Sequence, residues 1–133
     1  MREIIWVSAT VIVALLLFRG MGSPSLPAPP DDPWFTANVV RPSEQRPVIV
    51  KFGADWCGPC RMMESQLDQV AKQLGDKVQV VRVDVDEHPE LSDHFHISGI
   101  PDTMVFHKGQ TVGRDVGYLS ADALRSWVSR WID

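Results

Sequence analysis

The sequence predicts an α/β domain, a mixed sheet with helices packed on both faces. Three observations carry this expectation. Two short runs rich in β-branched residues, Val48–Ala54 and Val78–Val85, flank a stretch whose apolar residues recur at helical spacing. Thr103–His107 and Thr111–Gly117 read as two strands joined by Lys108-Gly109-Gln110, a hairpin signal. A last helical pattern closes the chain after Ser120.

In chain order, Ile4 to Phe18 comes first, fifteen residues without a charge. As a helix it would span roughly 22 Å, against a hydrocarbon core of ~30 Å. Arg19 can snorkel and Gly20–Met21 can extend the span, so residues 4–21 are expected to engage a membrane and 1–22 to form an anchor. The alternative is a signal peptide cut near Ser23, with Gly20 and Gly22 as its small residues. Arg19, directly after the apolar run, speaks against a cut. A buried helix of the domain is disfavoured by the proline-rich stretch that follows. No cysteine follows the run, which excludes a lipid-attached N-terminus of the bacterial lipoprotein kind. Arg2 and Arg19 nearly balance, so charge gives little bias in orientation. An extracytoplasmic domain is expected from the likeness of the segment to a signal-anchor, or a secreted or periplasmic one after cleavage.

Residues 23–33 hold five prolines in eleven residues and read as an extended linker, reaching ~3.1 Å per residue and lifting a domain ~30 Å from the anchor. The domain is then 34–133, with Trp34–Val40 as a short helix or extended edge. Val48–Ala54 suits a strand buried on both faces. Met63, Leu67, Val70, Ala71 and Leu74 mark a helix that Gly75 stops. Val78–Val85 is the next strand and Pro89–Phe95 a short helix. In the closing helix Ser120 is the N-cap, Leu119 and Leu124 form a staple, and Leu124, Trp127, Val128 and Trp131 form the buried stripe. This order requires a parallel first pair with a right-handed crossover, then an antiparallel hairpin. There is no internal repeat.

At 133 residues the chain has room for one domain and a short appendage. It carries 13 Lys+Arg against 17 Asp+Glu. Without Arg2, Glu3 and Arg19 the count is 11 against 16, a net charge of about −5 that gives no basic face for nucleic acid. The two cysteines, Cys57 and Cys60, lie too close to gain much as a structural staple and are too few for a four-cysteine zinc site. That arithmetic favours redox chemistry.

Trp56-Cys57-Gly58-Pro59-Cys60 falls where a strand gives way to a helix. A helix N-terminus favours negative charge, so the Cys57 thiol ionises more easily, and the thiolate is the nucleophile of disulfide exchange. Cys60, back within one turn, can attack the mixed disulfide and release the product. Cys57 therefore reads as the attacking thiol and the more buried Cys60 as the resolving one.

The whole segment FGADWCGPCRMM resembles the active site of the thioredoxin family. Gly99-Ile100-Pro101 is similar to that family's cis-proline loop, and Gly117 to a further glycine near its substrate groove. The resemblance runs from roughly Phe35 to Ile132. It implies a thioredoxin-like fold whose first strand is here reduced or absent, and dithiol–disulfide exchange with protein substrates without a bound cofactor or metal. It also implies that Trp56, Gly58, Pro59, Ile100 and Pro101 support the active site, and that Trp56, Gly99, Ile100, Pro101 and Gly117 line the groove. Gly58-Pro59 resembles the reducing members, which points to a protein-disulfide reductase. Outside the cytoplasm it would need a membrane electron-transfer partner as reductant. A monomer is expected.

The chain also departs from the family. Lys51 stands where a buried aspartate is usual, and Glu64, four residues after Cys60, is its expected partner; Ser65 follows where proline is usual. The alternative is a Lys51 that snorkels to the surface past an exposed Glu64. Asp102 stands where threonine is common; it would either oppose thiolate formation and select basic substrates or be a solvated loop acid. Gly53 replaces an aromatic residue and should leave the surface around Trp56 more open. His94 and His96 could join the cysteines in a metal-binding module, though alternate histidines at a helix end are more often surface residues. Met62 reads as surface, Met63 as core, and Asp84 and Asp86 as a solvated strand end. A redox-dead interaction domain is weakened by the presence of both cysteines.

Overall fold

The computed structural model describes residues 25–133. The expected anchor or signal peptide lies outside these residues. Among the described residues no helix is long and apolar enough to cross a membrane.

Helix α1 is built from three consecutive pieces, Pro33–Phe35, the π-turn Thr36–Val40 and Arg41–Ser43. Asp32 caps it by accepting a hydrogen bond from the Phe35 N–H. The π-turn has a local cause. Pro42 has no N–H for the Asn38 carbonyl and its ring would crowd that oxygen. The turn widens, and the Gln79 side chain donates to the Asn38 carbonyl at 3.3 Å instead. Of the two readings of Trp34–Val40, the helix is the one found.

The remaining elements are β1 (Val48–Gly53), α2 (Gly58–Leu74), β2 (Gln79–Asp84), α3 (Pro89–His94), β3 (Asp102–His107), β4 (Gln110–Val116) and α4 (Ala121–Val128). The sheet order is β2-β1-β3-β4, with β1 parallel to β2 and the other pairs antiparallel. Among the described residues no strand precedes β1.

Alternation along β1 feeds two cores. Val48, Val50 and Phe52 face α1 and α3 and pack with Phe35, Phe95 and Phe106. Ile49 faces α2 and α4 and packs with Met63, Leu67, Leu124 and Val128. Met62 lies exposed beside the buried Met63, because adjacent helical positions point in different directions. In the closing stripe Leu124 and Val128 are buried, whereas Trp127 and Trp131 are half-buried over Gly113 of β4. A Cβ there would meet the Trp127 ring at 2.8 Å.

The described part of the proline-rich segment lies against the domain. Thr111 donates to the Pro27 carbonyl at 2.6 Å, and the His94 ring is 2.8 Å from the Ala28 carbonyl. Its four prolines keep the described strip extended, but its free carbonyls find partners on β4 and α3 rather than only water. Over these residues it is a strap on the domain, not a spacer standing away from it.

Candidate active site

Cys57 is the N-cap of α2, a helix of 17 residues, and its Sγ accepts the Cys60 N–H at 3.3 Å. The two cysteines form a disulfide, with Cα atoms 5.3 Å apart. Cys57 is 5% exposed and Cys60 1%. Gly58 and Pro59 form the exposed first turn of the helix, where the missing proline N–H costs nothing.

The Ile100–Pro101 peptide bond is cis, and the Ile100 carbonyl oxygen lies 3.8 Å from Cys57 Sγ. Gly117, with φ of 109°, donates its N–H to the Pro101 carbonyl at 2.7 Å. A left-handed glycine thus ties the end of β4 to the loop facing the disulfide. Beside it is a hollow of about 170 Å³ lined by Trp56, Val85, Ile97, Gly99 and Ile100. Trp56, 71% exposed, forms one wall, and its indole N–H donates to Asp86 at 2.8 Å. Asp86 is therefore not merely a solvated strand end. Asp84 is also engaged, accepting the Asp86 N–H at 2.8 Å.

Beneath the disulfide, Lys51 is buried and paired with Glu64. Its ammonium also donates to the Cys60 carbonyl at 3.4 Å. Arg82 holds the other oxygen of Glu64 and reaches Asp68 at 2.8 Å. Burial raises the pKa of Glu64, but hydrogen bonds and charge from Lys51 and Arg82 outweigh it, leaving the carboxyl below its ordinary value. The snorkelling alternative for Lys51 does not describe this geometry.

Gly53 has a different role from the one expected. A Cβ at this position would meet Lys51 Cε at 2.8 Å and Nζ at 3.0 Å, so its missing side chain is the space Lys51 fills. Asp102 likewise differs. It opens β3, points to the face opposite α2, is 1% exposed, and pairs with Arg114 through both carboxylate oxygens. It is neither a solvated loop acid nor directed at the dithiol. The metal-binding alternative finds no support in the geometry. Both cysteines are in the disulfide, His94 engages Ala28, and among the described residues no cluster of three or more ligating side chains is present.

Comparison with known proteins agrees with this geometry. The family profile described as Thioredoxin matches residues 31–130. The chain belongs to the thioredoxin family. The thioredoxin of Rickettsia typhi is 36% identical over 86 residues, 65% of this chain and 82% of its own length. That of Rhodospirillum rubrum is 40% identical over 82 residues, 62% of this chain and 79% of its own. A solved structure of thioredoxin-2, a component of the malaria parasite protein secretion machinery, matches with a TM-score of 0.62 at 21% identity, covering 64% of this chain and 82% of that one. That last likeness concerns the fold. As a thioredoxin-family protein with its cysteine pair joined in a disulfide, the chain is a thiol–disulfide oxidoreductase acting on protein disulfides.

Proposed function

We propose that this protein reduces disulfides of protein substrates, with Cys57 as nucleophile and Cys60 as resolving thiol. The observation that carries the reading is the position of Cys57, capping a long helix and accepting the Cys60 N–H. Such a site stabilises a thiolate at Cys57. That thiolate attacks one sulfur of the substrate disulfide, and the other sulfur leaves with the electron pair and takes a proton. Cys60 then attacks Cys57 Sγ, the mixed disulfide breaks, and the second substrate thiol is released. The substrate gains two electrons and the protein pair becomes a disulfide. Trp56, Gly99, Ile100, Pro101 and Gly117 form the groove that receives the substrate chain, and no bound cofactor is used. The chain works as a monomer.

The reducing direction is supported by Gly58-Pro59, and a membrane electron-transfer protein is the proposed source of electrons. Residues 4–21 are the proposed single-pass anchor, with the domain on the extracytoplasmic side; the alternative is a soluble form cut near Ser23. The strap supports one orientation of the proposed anchored form. Pro27 rests on Thr111, which is level with Phe106 and Val48, at the end of the sheet away from Cys57. In the proposed orientation the dithiol faces away from the bilayer.

The test is the equilibrium of the full chain with reduced and oxidised glutathione. A reductase holds its disulfide form at ratios where glutathione is mainly reduced. A pair fully reduced under those conditions would reverse the proposed direction. Sedimentation with membranes and an intact N-terminus test the anchor separately.

A further inference from the structure

We propose that Lys51 is a positioning residue for the second half of the exchange: its ammonium, held by Glu64, favours the Cys60 thiolate that attacks the mixed disulfide. This rests on the exchange chemistry proposed above. Cys60 is 1% exposed, and burial disfavours a thiolate. Its own N–H is given to Cys57 Sγ, so the anion needs compensation from elsewhere.

Lys51 is placed to supply it. A Cβ added at Gly53 would touch Nζ at 3.0 Å and Cys60 Cβ at 3.3 Å, so the ammonium and the Cys60 side chain border the same small volume. An ammonium has three N–H donors. Glu64 takes one and the Cys60 carbonyl another, which leaves one uncommitted among the described residues.

Other charges face Cys60 across a cleft of about 260 Å³. They are Asp55 from the loop, Arg61 and Glu64 from α2, and Arg82 and Asp84 from β2. Lys51 alone among them is buried, so water screens its field least. Glu64 opposes it in sign, but Arg82 holds its outer oxygen and is itself tied to Asp68. The cation nearest the buried turn therefore sets the sign of the field at Cys60.

In the mixed disulfide, the Cys60 thiol gives its proton to water in the cleft. Its sulfur electron pair forms the bond to Cys57 Sγ, the bond between Cys57 and the substrate sulfur breaks, and the departing sulfur takes up a proton. Lys51 neither gains nor loses a proton.

The test uses the full chain carrying Cys57→Ser, with Cys60 titrated by thiolate absorbance in the ultraviolet. Lys51→Met should lower the Cys60 thiolate fraction near neutral pH about tenfold, a rise of about one pH unit in the midpoint. With Cys57 restored, product release from the mixed disulfide should slow by a similar factor. Gly53→Ala, which displaces the ammonium without removing it, should act in the same direction by less. Arg82→Met should change the fraction by no more than about twofold. A midpoint unchanged or lowered by Lys51→Met overturns the proposal, as does an equal effect of Arg82→Met. If Lys51→Met does not fold, Gly53→Ala decides: an unchanged midpoint there overturns it. The titration needs no turnover, so a wild-type chain that fails to exchange disulfides is a separate result.

Discussion

Lys51 and Glu64 meet beneath the dithiol, and the two ends of the pair are unequally placed. The Lys51 side chain is 6% exposed and that of Glu64 38%. Among the described residues Lys51 has only Glu64 and one backbone carbonyl as partners, whereas Glu64 also binds Arg82. Removing one member is therefore not equivalent to removing the other.

Glu64→Leu leaves a buried ammonium without its counter-charge and should cost about 3 kcal/mol. Lys51→Met leaves Glu64 on Arg82 and should cost about 1 kcal/mol. The double variant should cost clearly less than the sum. Urea unfolding of the four proteins in a double-mutant cycle measures this. Equal single costs that add would show that the pair contributes no coupling.

The pair also fixes a pH dependence. The folded-state pKa of Glu64 lies below its ordinary value of 4.5. On acidification the unfolded chain protonates this carboxyl first. Its stabilisation is present above about pH 4.5 and is lost as pH falls through the lower folded value. Stability of the wild type minus that of Glu64→Gln should shrink over that acid range and stay flat above about pH 6. A difference that grows on acidification would contradict the assignment.

On the other face of the sheet, Arg114→Met should strand the fully buried Asp102 carboxylate and cost about 3–5 kcal/mol. Asp102→Val combined with Arg114→Leu should recover most of that loss. Thermal unfolding is the measurement. A small loss for Arg114→Met alone would mean that the carboxylate finds another partner.

How legible these relationships are depends on whether they follow a local rule. Met63, Leu67 and Val70 repeat at helical spacing, so their burial is visible in the sequence. Glu64 lies one turn beyond Cys60, and the same rule finds it as the partner of Lys51. The role of Gly53 was available in principle, because positions 51 and 53 of a strand share a face. Asp102 and Arg114 meet diagonally across β3 and β4, and only the strand register brings them together. Trp56 and Asp86 are 30 residues apart on different loops, where no periodicity applies. The strap is hidden for another reason. Proline content fixes its extended shape but not where its carbonyls find donors.

Asp86 should matter for catalysis more than for stability. Asp86→Ala frees the exposed Trp56 indole, so part of the groove wall must be ordered when substrate binds. We expect kcat/KM for a protein disulfide to fall several-fold while the unfolding midpoint stays within a degree or two. Steady-state reduction assays together with melting curves test this. Unchanged kinetics would make the hydrogen bond incidental.

The most direct test of the account is trapping of the reaction intermediate. The full chain carrying Cys60→Ser is mixed with a disulfide-bonded protein such as insulin and separated without reductant. A covalent mixed disulfide through Cys57 should accumulate with Cys60→Ser, disappear on adding dithiothreitol, and be absent with Cys57→Ser. Adducts that form through Cys60 in the Cys57→Ser protein, with none in Cys60→Ser, would contradict the assignment of the nucleophile and with it the mechanism.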